Sequence, residues 1–365
     1  MHAYQSFGAR VKASLLLAVG LLLPFRVAAA SNLSLYLCEN NRILRFSPPF
    51  STGMSADAVV GATNFDTVTP GLGPDLLSGP VGIDHDGAGN LFVADSVNNR
   101  VLEFTQPITT GESASLVIGQ PDFTTNNVGF AINQTRNPRA VAIDRRGSGA
   151  LYVAVEAHVR AFPAPFSNGM NASLQLGNDG STAQFIEPDG LSLNSSGALF
   201  VSDLTNFRVL DYKPPIKGNQ LANVVLGANS LDHPGQGVFR SPAGSAFDSK
   251  GDFWVADFNT NRVLEFIPPF YNGKPPALVI GQPDFRSSQP NLTQSGLYIP
   301  NDVAFDGDGD LWVVDSGNAR VLEFVPPFSN GMNASVVIGQ TDFTSDVHGV
   351  SASQISFPSA LTFAP

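Results

Sequence analysis

An aspartate and an arginine five residues apart recur along the chain as Asp95/Arg100, Asp203/Arg208, Asp257/Arg262 and Asp315/Arg320. A carboxylate and a guanidinium so spaced can tie the two ends of a hairpin through charge-assisted hydrogen bonds. An active site is normally unique, so a pair present in four places reads as structural. Amides accompany it at Asn98, Asn206, Asn259 or Asn261, and Asn318. The pattern changes at Glu39/Arg42, and again where Val155 and His158 occupy the pair's positions. Relaxation of the repeat accounts for that second departure, with a ligand contact as the alternative.

Other residues with chemical capacity also fall into repeated or scattered positions. Asp306-Gly307-Asp308-Gly309-Asp310 offers the carboxylates that Ca2+ favours, but it lacks the glycine and distal glutamate of an EF-hand loop. Its counterparts around Asp86 and Asp248 identify it as a turn between two strands. Glu103, Glu265 and Glu323 share one position late in the repeat and read as carboxylates at a sheet edge. His85, His158, His233 and His348 fall at unrelated positions, so nothing in their spacing calls for zinc. Cys38 is the only cysteine and stands where other copies carry Ala94 or Ala256, which makes it a core thiol. No Gly-x-Ser-x-Gly elbow, His-Glu-x-x-His helix or phosphate-binding glycine loop is present.

The elements that position these residues follow from self-similarity along the chain. Equivalent prolines occur at 80, 138, 188, 242, 300 and 358, with successive spacings of 58, 50, 54, 58 and 58 residues. Each copy holds four short β-rich runs separated by turn chemistry, as in Leu91–Asp95, Arg100–Phe104 and Leu116–Ile118. Several runs are apolar on consecutive residues, which suits a sheet covered on both faces. Four-stranded sheets arranged radially meet these demands. The first copy begins at its second strand, Leu33–Leu37, and the missing first strand matches Pro358–Phe363 at the other end. The expected fold is therefore all-β: a six-bladed propeller over 31–365, its first blade made from 31–67 plus 358–365.

The segment Pro80-Val81-Gly82-Ile83-Asp84, continuing through Gly89-Asn90-Leu91-Phe92-Val93-Ala94-Asp95 to Asn98-Asn99-Arg100-Val101, resembles the NHL repeat. Similar copies stand at Pro242–Phe266 and Pro300–Phe324, with weaker ones at Pro138–Phe162 and Pro188–Tyr212. The resemblance implies the propeller fold and leaves function open, since such propellers include RNA-binding modules, sensor domains and lyases. In a propeller the first strand of each blade lines the channel, so the residues after each leading proline lie near its mouth. Here the repeat varies, and Arg139, Asp189, Asn301 and Asp302 become the candidate ligand-binding residues. Pro188-Asp189-Gly190 and Pro300-Asn301-Asp302 resemble the calcium-ligand segments of lactonase-type propellers, which implies Asp189 and Asn301 as metal ligands. The family's glutamate before Gly-Pro is replaced by Ser78.

Composition narrows the partners. Acidic residues number 31 against 20 basic ones, for a net charge of −11, which disfavours binding to a phosphate backbone. Arg10 and Lys12 precede an apolar run from Ala13 to Phe25, and Ala28-Ala29-Ala30 offers a cleavage site. Residues 1–30 thus read as an export signal, giving a secreted or periplasmic protein with no stable membrane span after its removal. The reading that results is an exported ligand-binding or protein-interaction module. A Ca2+-assisted lactonase or lyase acting at the channel mouth is the alternative.

Overall fold

A computed structural model describes residues 32–177, 185–228 and 238–365. The export-signal segment and His233 lie outside the described residues, as does most of the stretch leading to Pro242.

Six four-stranded antiparallel sheets form a ring. Their innermost strands are Pro358–Ala364 in blade one, then Pro80–His85, Pro138–Ile143, Pro188–Leu193, Pro242–Phe247 and Pro300–Phe305 in blades two to six. Blade two continues outward through Leu91–Asp95, Arg100–Phe104 and Leu116–Ile118, and the other blades repeat this plan. The C-terminal strand closes blade one by pairing with Ser34–Glu39, as the split repeat predicts. Second strands such as Leu91–Asp95 are buried throughout because blades cover both of their faces. Leu37 and Phe363 of blade one, for example, share a core with Trp312 and Val314 of blade six.

The recurrent Asp/Arg pair is a buried clasp. Arg100 Nε donates to Asp95 Oδ2 at 2.7 Å, and its two terminal nitrogens reach the carbonyls of Phe123, Gly73 and Leu76. One side chain thereby fixes its own hairpin and the connections before and after the blade. Asp95 Oδ1 accepts from Ser78 N at 2.7 Å, and Asn98 donates to Oδ2. The second asparagine latches neighbouring blades: Asn41, Asn99 and Asn261 accept from the backbone N–H of Gly79, Asn137 and Ile299 in the next blade.

Blade three loses the pair and keeps only the clasp's hold on the preceding connection. Arg160, farther along the third strand, donates to the carbonyls of Phe130, Ala131 and Gln134. Cys38 is fully buried on its strand, and burial raises its thiol pKa, which bears out the core assignment.

Candidate functional site

The mouth residues owe their placement to a local irregularity. In Pro80–His85 the pairing jumps from Pro80–Asp95 to Gly82–Ala94, leaving Val81 as an extra residue. The same bulge skips Arg139, Asp189 and Asn301, and on the closing strand it skips Ser359. A bulge bends its strand and re-aims the side chain it carries. Of the four expected positions, Arg139, Asp189 and Asn301 are thus freed from the ladder, whereas Asp302 stays in it opposite Val314.

Inner strands of adjacent blades also approach very closely. A Cβ at Gly190 would come within 2.1 Å of Ala243 O, and one at Gly244 within 2.0 Å of Asp302 Oδ1. Glycine at these positions makes room for the next blade and for the Asp302 carboxylate.

Arg139, Asp189, Asn301 and Asp302 all line one central cavity of about 670 Å3. They are not equivalent within it. Arg139 Nη1 donates to Asp189 Oδ1 at 2.7 Å, and Nη2 contacts Glu187 Oε1 at 2.5 Å. Glu187 was not among the residues expected from sequence; it stands immediately before the mouth proline of blade four. Asn301 Nδ2 donates to Ser359 O at 2.9 Å, and Asp302 Oδ2 accepts from Leu361 N at 3.0 Å. Both residues of blade six therefore hold the closing strand as well as facing the channel.

Asp302 Oδ1 accepts from Val303 N at 2.8 Å. Burial pushes its carboxyl up to about 7, reinforced by the negative charges of Asp189 and Asp84. Burial also raises Asp189, against the opposing pull of Arg139.

The far end of the cavity carries a second polar set that sequence reasoning missed. Asp84 accepts from Ile143 N at 2.8 Å and pairs with Arg145, whose Nε also donates to His85 O. His85 is held down at about 4, first by burial and then by the Arg145 charge, so its imidazole is neutral at pH 7. Asp84 uses the same device as Asp302: a carboxylate on one inner strand accepts the backbone N–H of the next blade. No single-sequence signal marks that role, because the partner lies 59 residues away.

Other candidates lie elsewhere. Asp306 accepts from Asp308 N and Asp310 N, and from Trp312 Nε1 at 3.0 Å, as a turn aspartate would. The fold nevertheless brings Asp306, Asp310 and Glu323 close enough for their carboxylate oxygens to lie within 4.8 Å of one another. Repeat position alone had kept Glu323 apart from that turn. His85 lines the channel, whereas His348 contacts Ser356 Oγ and packs against Phe357.

The NHL repeat family model matches residues 239–266 and 297–324, the segments that enter and build blades five and six. The chain is a six-bladed β-propeller, and two of its blades carry segments that match the NHL repeat. Mouse peptidyl-glycine alpha-amidating monooxygenase is 33% identical to this propeller over 101 residues, which are 27% of the chain and 10% of the mouse protein. A probable peptidyl-alpha-hydroxyglycine alpha-amidating lyase of Caenorhabditis elegans is 27% identical over 110 residues, covering 30% and 29% of the two chains. The chain thus matches only a small part of these relatives' length. A Bacteroides caccae protein of unknown function superposes with a TM-score of 0.54 at 12% identity, covering 92% of this chain and 99% of its own. A chain from a nidogen/laminin complex gives 0.53 at 13%, covering 91% and 98%. At such identities the structural likeness concerns the fold.

Proposed function

We propose that this NHL propeller is an exported ligand-binding or protein-interaction module whose site is the mouth of its central channel. One observation carries the reading: Arg139, Asp189 and Asn301 from three blades occupy bulge positions around one cavity of about 670 Å3. Side chains displaced from a repeating ladder toward a shared cavity serve the cavity's contents. Concave sites with a few convergent polar groups are the usual form of ligand sites. The export half of the proposal rests on the basic, apolar and small-residue order of residues 10–30. A propeller of similar fold in a nidogen/laminin complex is a precedent for interaction.

A Ca2+-assisted lyase is the second reading, favoured by the amidating relatives. The donor set suits the ion poorly. Asp189 already bears the Arg139 guanidinium on Oδ1. A cation bound at Oδ1 of Asp189 would have to displace Arg139.

The test is calorimetry and thermal shift on wild type, Arg139→Ala and Asp189→Ala against Ca2+, lactones, acidic metabolites and peptides. Binding that changes in both variants is the expected result. Ligands whose affinity ignores both substitutions would move the site away from the mouth.

A further inference from the structure

The charges around the cavity do not balance, and the imbalance has a direction. Arg139 faces Glu187 and Asp189 together, so this arginine is more than neutralised. Arg145 is paired with Asp84 and Arg146 with Asp144, while the neutral His85 adds no charge. Asp302 accepts from backbone N–H groups, and among the described residues no cationic side chain pairs with it. An anion entering here would meet surplus carboxylate. A cation would meet a partly buried carboxylate whose two hydrogen bonds come only from uncharged donors.

The rim supplies an independent observation. The hairpins between second and third strands open at the mouth end, as do the connections from one blade to the next. Among the described residues, most of the large apolar side chains that remain exposed are at this end, including Val97 at 64%, Ile186 at 53%, Phe130 at 67% and Phe357 at 68%. Leu204 and Phe258 extend that apolar character into the cavity lining. Exposed apolar groups around a recess mark interaction surfaces, and water is excluded most readily where such groups ring a polar centre. The whole chain is acidic, with a net charge of −11, so a basic partner is also favoured at long range.

We infer that the mouth receives a lysine or arginine side chain from a protein partner, directed at Asp302 and flanked by apolar residues that pack on the rim. This rests on the mouth-site reading and specifies what the mouth takes. An extended side chain entering the cavity would lay its aliphatic stem against Leu204 and Phe258, its charge reaching the polar centre.

The experiment is selection from a random displayed peptide library on the folded wild-type propeller, followed by calorimetry on the recovered peptides. Recovered sequences should centre on lysine or arginine between apolar residues, and norleucine at the centre should weaken binding by about tenfold or more. Asp302→Asn should abolish the preference for a charged centre. Because that change also touches the closing strand, Arg139→Ala provides a test of opposite sign. Releasing Glu187 and Asp189 should tighten binding of the same peptides several-fold. No enrichment, acidic or uncharged consensus sequences, or weaker binding by Arg139→Ala would overturn the inference. If non-cationic peptides are recovered and still respond to Asp189→Ala, the mouth site stands while its cationic specificity falls. Peptides indifferent to every mouth substitution would remove the mouth site itself.

Discussion

Arg100 is fully buried and shares its charge between Asp95 and three backbone carbonyls. Burial raises the Asp95 carboxyl, and the Arg100 charge is the largest influence holding it down. The pair therefore works as a unit, since either partner alone would be an uncompensated charge in the interior. Replacing Arg100 with Leu should destabilise the propeller by about 3–5 kcal/mol in urea unfolding, the range for breaking a buried pair from one side. Combining it with Asp95→Asn should restore part of the loss, because the stranded charge is then gone. A single Arg100→Leu protein with an unchanged midpoint would show that the carbonyl contacts and the pair contribute little. Repetition in sequence identified this pair as structural. It could not show that each arginine also binds both flanking connections, because those acceptors are backbone atoms at positions of no fixed residue type.

Each inner strand begins at a proline, and those prolines are legible in the sequence at 80, 138, 188, 242, 300 and 358. The bulge beside them is not, because it is a property of register between two strands and leaves no residue signature. Sequence variation pointed to Arg139, Asp189, Asn301 and Asp302, and the structure gathers all four at one cavity. Sequence position could not show that Arg139 is already engaged: Glu187 and Asp189 cover it, a partnership across blades that no local spacing reveals.

Asp302 carries a consequence for the element that it joins. Its folded carboxyl titrates near 7 through burial and the fields of Asp189 and Asp84, while an unfolded aspartate titrates near 4. The folded state thus binds this proton more tightly than the unfolded one. Its contribution to stability is complete below about pH 4 and is lost as pH rises toward 7. The melting temperature of wild type should fall more across that window than that of Asp302→Asn, measured in matched buffers. Parallel curves for the two proteins would remove Asp302 as the source.

At the scale of the whole molecule, a ring of blades has one seam, where the chain's two ends meet. The split repeat made that seam legible, because Leu33–Leu37 lacks the strand that Pro358–Phe363 supplies. Less visible was how heavily blade six secures it: Asn301 donates to Ser359 O, Asp302 accepts from Leu361 N, and Ser316 Oγ donates to Pro358 O. Polar residues expected to serve a ligand therefore also hold the ring shut, which couples the mouth to closure. Deleting residues 358–365 would expose Ser34–Glu39 as a bare sheet edge and remove Leu361 and Phe363, both nearly fully buried, from the core. Loss of two such side chains alone costs about 3–6 kcal/mol, before the unpaired backbone groups are counted. The truncated protein should melt far below wild type or aggregate, and a synthetic peptide of residues 358–365 should raise its melting temperature by re-forming the strand. A truncated ring with the wild-type melting curve would mean that five intact blades and a three-stranded blade one hold together without the seam.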